Sequence, residues 1–170
     1  RISLRLVVKV GSVQEEENER GFAHFVEHMA FNGTENFTKS QIVDYFETIG
    51  MNFGNELNAY TSFEETVYKL EIPADNPEIL KTAMLILHDW ASAQNFNEEE
   101  VEKEKGVIVE EWRLSELGLN GRISKQIIPF LLGGSVYENR LPIGLPEVIK
   151  NLTREEVSAF YKKWYRPELM

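Results

Sequence analysis

Apolar residues recur in this chain at two different periods, and the stretches that obey each period do not strictly alternate. Alternation by twos marks residues 2–10 (ISLRLVVKV), and short β-prone runs at 51–53, 57–62 and 66–72 succeed one another between turn residues. From residue 78 onward the spacing is helical, with Ile79, Leu80, Ala83, Met84, Leu87 and Trp90 in one stripe expected to be core. Asn97 followed by Glu98, Glu99 and Glu100 is an N-cap with acid in the first turn, and it opens a long helix to about Leu117. Residues 118–121 read as a break, 122–131 as a helix bent at Pro129, and 133–146 as a loop. Thr153 with Glu156 is a capping box for a last helix through Tyr165, which Arg166-Pro167 ends. Strands gathered together and helices gathered together define an α+β class, a mostly antiparallel β-sheet with helices packed on one side. At 170 residues, without repeat, low-complexity tract or linker, the chain is read as one domain over 1–170.

Composition narrows the chemistry. There is no cysteine, which removes thiolate zinc, disulfides, iron-sulfur clusters and cysteine nucleophiles. A net charge of −10 argues against a phosphate-binding surface, so no nucleic-acid partner is expected. No apolar run approaches the roughly 18 residues of a membrane helix, so no transmembrane segment is expected in this chain. The first residue is Arg1 and the strand-like pattern begins at once, so any targeting information is expected upstream.

Between the first strand and the sheet lie an acidic stretch, Glu15 to Glu19, that reads as a solvated loop, and two short helices. One runs from about Gly21 to Phe31 and stops at Asn32-Gly33; the other is capped by Thr38 and ends at Gly50. The first carries His24-Phe25-Val26-Glu27-His28, two of the three histidines of the chain within five positions. Steps of three and four residues put His24, Glu27 and His28 on one face, while Phe22, Phe25, Val26 and Met29 point elsewhere. A polar flank on an amphipathic helix would account for a lone histidine. Two imidazoles one turn apart with a glutamate between them form the inverted H-x-x-E-H motif of zinc peptidases. They can ligate one Zn²⁺, and a catalytic site then needs a third ligand and an open position.

Without cysteine, that third ligand is His, Asp or Glu. His88, beside Asp89, is explained as a helix-surface histidine. The long acidic helix is more informative, because Glu104 and Glu111 fall inside its stripe of Val101, Ile108, Trp112 and Ser115, whereas Glu99, Glu102 and Glu110 lie off it. Carboxylates facing a core are costly unless paired or bound to a cation. Salt bridges to Lys or Arg would also satisfy them, and spacing alone does not say which glutamate is a ligand.

Together, GFAHFVEHMAFNGT, LNAYTSFEETVY, VEKEKGVIVEEW and FYKKWYRPELM resemble the amino-terminal domain of the pitrilysin/insulinase family of zinc peptidases, which includes the mitochondrial processing peptidase. The resemblance implies that His24 and His28 ligate one zinc ion and that Glu27 is the general base of peptide-bond hydrolysis. It makes Glu111 the third ligand and Glu104 an acidic partner supporting the ligands. It also implies that Asn58, Ala59, Tyr60 and Thr61 belong to an edge strand onto which a substrate peptide adds as a further strand. Family members close as a clam shell of two homologous halves. A second half, in the same polypeptide or another subunit, is therefore an expected partner beside the peptide substrate, and the domain is expected to continue into further strands beyond Met170. A fragment of this extent is expected to bind zinc and to cleave poorly alone. The alternative is a non-catalytic structural or partner subunit of the same fold, which typically loses the motif present here. A lyase with the inverted motif needs a cysteine and is excluded. HFVEHMAFNGT and the PIGLPE loop point to a bacterial periplasm or cell envelope.

Overall fold

The computed structural model describes residues 1–170 except 52, 53, 55 and 56. Of the run at 51–53, only buried Met51 is therefore described. Three strands, β1 (Ile2–Val8), β2 (Leu57–Thr61) and β3 (Thr66–Ile72), form an antiparallel sheet in the order β1-β3-β2. Register pairs Leu6 with Tyr68, Leu4 with Leu70 and Ile2 with Ile72. The period-2 pattern sends these six side chains to the face that meets the helices, while Ser3, Arg5 and Val7 on β1 face water.

The helices are α1 (Phe22–Met29), α2 (Gln41–Thr48), α3 (Pro77–Ser92), α4 (Glu98–Leu117), α5 (Leu119–Leu132), α6 (Pro146–Asn151) and α7 (Arg154–Trp164). Helix α1 lies in the core against β2, β3, α4 and α7. Phe22, Phe25, Val26 and Met29 are buried there with Tyr68, Trp90 and Phe160. Asn97 caps α4 by accepting from the Glu99 and Glu100 amides, and Thr153 with Glu156 closes the capping box of α7.

Several expectations need correction. Helix α2 starts at Gln41 rather than behind Thr38, whose amide donates to the Gln41 side chain. The break at 118–121 shrinks to Gly118, which ends α4 and caps α5, and the 133–146 loop contains a 3-10 turn at Val136–Asn139. Helix α6, begun by Pro146, is an element that the sequence pattern does not announce. On α3 the buried line is Ile79, Ala83, Ile86 and Trp90, leaving Met84 52% exposed on the opposite side. Glu15 is not solvated: it is 4% exposed and belongs to the framework of α1.

Candidate metal centre

Glu15 fixes where α1 begins. Its carboxylate accepts from the amides of Gly21 and Ala23 at 3.0 and 2.8 Å, satisfying donors that the first helical turn cannot. Burial pushes its pKa up to about 8 against the lowering effect of those two bonds. Gly21 has a φ of 107° and Gly144 packs onto it, where a Cβ would meet the Gly21 Cα at 2.4 Å. That contact seats the loop carrying Pro142 and Ile143 beside α1. At the other end, the Trp90 indole donates to the Ala30 carbonyl at 2.9 Å. Buried Asp89 accepts from the Thr34 hydroxyl at 2.6 Å and from the Asn36 amide and side chain, holding the turn after Gly33.

On this fixed helix, the Nε2 atoms of His24 and His28 lie 3.2 Å apart. Glu111 Oε2, from α4, is 3.5 Å from His28 Nε2 and 3.8 Å from His24 Nε2. Tetrahedral Zn²⁺ with bonds of about 2.0–2.1 Å places its ligand atoms about 3.3 Å apart, so these three donors fit three corners of one tetrahedron. Among the described residues, this is the cluster of three side chains with donors close enough for one metal ion.

Glu104 stands behind the cluster. Its Oε1 accepts from His28 Nδ1 at 2.7 Å and its Oε2 from the Asn32 side chain at 2.8 Å. A carboxylate only accepts, so it fixes the proton on Nδ1 and leaves Nε2 to bear the lone pair that a metal requires. His24 lacks such help: its Nδ1 is buried without a hydrogen-bond partner among the described residues.

The electrostatics favour a cation at this point. Burial and then the charge of His28 lower the His24 pKa to about 4. Burial alone would lower His28 too, but its hydrogen bonds to Glu104 and Glu111 outweigh it and push the pKa up to about 9. Burial tends to raise Glu104, yet its bonds from His28 and Asn32 prevail and hold it below the usual range. The bond with His28 lowers Glu111 as well. Two ionised carboxylates around one imidazole attract a proton or a metal ion, and the nitrogen and oxygen donors suit zinc.

Glu27 lies beside the cluster, 8% exposed, with Oε2 accepting from the Thr61 hydroxyl at 2.7 Å. Burial raises its pKa, partly offset by that bond. Asn58, Ala59, Tyr60 and Thr61 lie on β2, which pairs with β3 on one side and with no strand on the other among the described residues. All four line the same cleft of about 910 Å³ as His24, Glu27, His28, Glu104 and Glu111. The Asn58 side chain turns back to accept from the Ala59 amide, and the Tyr60 hydroxyl donates to Glu65 at 2.7 Å.

His88 stays apart, with its side chain 68% exposed and 3.4 Å from Asp89. The stripe on α4 is buried at Val101, Glu104 and Ile108 but not beyond, leaving Ser115 exposed and the Glu111 side chain 48% exposed. Sequence reasoning missed Asn32, read as part of a helix stop, and the Thr61–Glu27 bond, for which no local pattern exists.

A helix bearing H-x-x-E-H, a glutamate donor from a second helix and a strand edge that is unpaired among the described residues thus line one cleft. The chain belongs to the insulinase family (peptidase family M16), whose profile matches residues 1–120. It is 41% identical over its whole length to the probable zinc protease PqqL of Escherichia coli (strain K12). It is 44% identical over 165 residues to the zinc protease PQQL-like of Arabidopsis thaliana. It spans 18% and 17% of those two relatives, whereas 100% and 97% of its own residues are matched. The crystal structure of the first half of the periplasmic protease PqqL from Escherichia coli superposes with a TM-score of 0.94 at 42% identity, covering 99% of this chain and 36% of that one.

Proposed function

We propose that this chain is the metal-bearing domain of a zinc endopeptidase, with His24, His28 and Glu111 as ligands and Glu27 as general base. The observation that carries the reading is the convergence of three donors 3.2–3.8 Å apart beside a buried glutamate and a strand edge unpaired among the described residues. Zinc bound there supplies Lewis acidity for activating water and polarising an amide carbonyl. Glu27 takes up a proton on its carboxylate and returns it to the leaving amine nitrogen. Burial raises its pKa, the direction that favours a group which must hold and then release a proton. Glu104 and Asn32 keep His28 in one tautomer and one orientation.

An extended peptide adding to β2 along Asn58, Ala59, Tyr60 and Thr61 would gain backbone hydrogen bonds with little sequence preference. Peptides and unfolded polypeptides are the substrate class. A second homologous half closes over them, a reading supported by the small share of the relatives' length that this chain spans. The periplasmic assignment of the Escherichia coli relative supports a bacterial periplasm or envelope location.

The purified chain is expected to bind one zinc ion, and the full-length protein to cleave an unfolded peptide until a chelator is added. Glu27→Gln should keep zinc and lose about 10²–10⁴-fold in turnover. Absence of zinc binding, or wild-type turnover in Glu27→Gln, overturns the assignment.

A further inference from the structure

The Thr61 hydroxyl has one proton and two neighbours. It donates to Glu27 Oε2 at 2.7 Å and lies 3.4 Å from the Thr66 hydroxyl, its register partner on β3. Thr66 is fully buried and donates its own proton to the Val10 carbonyl at 2.9 Å. With that proton on Val10, Thr66 accepts from Thr61. The line runs from Glu27 through two hydroxyls to a backbone carbonyl, and every group but the first has a fixed place in the sheet or the segment after β1.

From this geometry we propose that Thr61, supported by Thr66, is a positioning residue that holds the Glu27 carboxyl in one orientation. The inference rests on Glu27 being the base. While Glu27 is a carboxylate, Thr61 donates to it. When Glu27 carries the proton on Oε1, the oxygen not bonded to Thr61, Oε2 still accepts from the Thr61 hydroxyl. The same hydrogen bond therefore serves throughout, with no heavy atom displaced. A buried carboxyl without such a partner would lose its orientation or be left unsatisfied. Among the described residues, no donor reaches Oε1, so that oxygen remains for the cleft. Because Thr61 ends the strand edge offered to substrate, its side chain also ties the base to the element along which the peptide would lie.

The test uses Thr61→Val, which keeps the shape and β-propensity but removes the hydroxyl, in the full-length zinc-loaded protein with an unfolded peptide. We expect kcat to fall about 10- to 30-fold, a part of the roughly 10²–10⁴-fold available from a general base. KM and zinc content should stay within twofold, and Thr61→Ser should restore most of the rate. Thr66→Val should lower kcat less and, apart from the stability lost with its bond to Val10, should lower kcat no further in combination with Thr61→Val. In the metal-free protein, the infrared band that Glu27→Gln deletes should move in Thr61→Val and not in Thr61→Ser. If Thr61→Val does not fold, Thr61→Ala carries the same comparison. Wild-type kcat and an unmoved carboxylate band in the hydroxyl-free variant, or a Thr61→Ser protein as slow as Thr61→Val, overturn the proposal. Its failure is distinguishable from failure of the base assignment, because Glu27→Gln would still be inactive.

Discussion

The two helices that meet at the centre are held in opposite ways. Helix α1 has eight residues, six of them buried. Glu15 is bonded at its first turn, and Trp90 and Asp89 anchor the segment from Ala30 to Asn36 beyond its last. Helix α4 has twenty residues and buries Val101, Glu104 and Ile108, after which Glu111, Leu114 and Leu117 are exposed. The two imidazoles thus stand on a fully packed element, and the carboxylate donor on the unburied half of a long one. The supporting Glu104 sits on the packed half of the same helix, so α4 orients His28 firmly while presenting Glu111 with more freedom. Preorganisation in this centre is concentrated in the histidine pair.

Removing the loosely held donor should break the comparison most. Glu111→Ala is expected to weaken zinc binding by more than the roughly 10–100-fold that a supporting partner costs, measured by competition with a chromogenic chelator. Zinc affinity equal to wild type would show that Glu111 is no ligand.

Proton competition comes next. His28, raised to about 9, must give up a proton to bind metal at Nε2, so apparent zinc affinity should rise about tenfold per pH unit from pH 7 to about 9 and then level off. Calorimetry in buffers of different ionisation heat should record about one proton released at pH 7. For the metal-free fold the sign is worked out from the two histidines. Stability contributed by His28 is present below pH 6.5 and lost as pH rises through about 9, whereas the depressed His24 removes stability as pH falls from 6.5 through about 4.

A third change separates orientation from ligation. Glu104→Gln retains the size of the side chain but removes its charge, and should weaken zinc about 10–100-fold. Its effect should resemble that of Asn32→Ala in kind, because both act on how His28 is held.

The smallest effect concerns the start of α1. Glu15→Ala should cost about 0.5–2 kcal/mol of stability, the usual worth of a helix cap, read from urea denaturation. Because the folded-state pKa of Glu15 is raised, wild-type stability should decline as pH rises from about 4.5 through about 8, and Glu15→Gln should flatten that slope.

Much of the secondary structure was legible because it is set by local physics. The seven residues of β3 arise from β-branched and aromatic alternation, α4 from Asn97 and its three glutamates, and α7 from the Thr153 capping box. The site was legible in proportion to how local its geometry is. His24, Glu27 and His28 share a face because a helix turns every 3.6 residues, and Glu104 and Glu111 share a face for the same reason.

Spacing within one helix cannot supply a distance between two. That Glu104 lies 2.7 Å from His28 across 76 positions, or that Thr61 reaches Glu27 across 34, is a result of how the sheet and α4 pack around α1. Glu15 departs from its sequence reading for a related reason: an acidic stretch has the composition of a solvated loop, and only the tertiary approach of α1 provides the amides that make one of its carboxylates worth burying. The sequence by itself determined most of the elements, the shared face of His24, Glu27 and His28 on α1, and the family, since each depends on neighbours a few positions apart. The tertiary structure alone brought Glu104 and Glu111 to the histidines and the Thr61 hydroxyl to Glu27, because those contacts are made only when distant segments share one core.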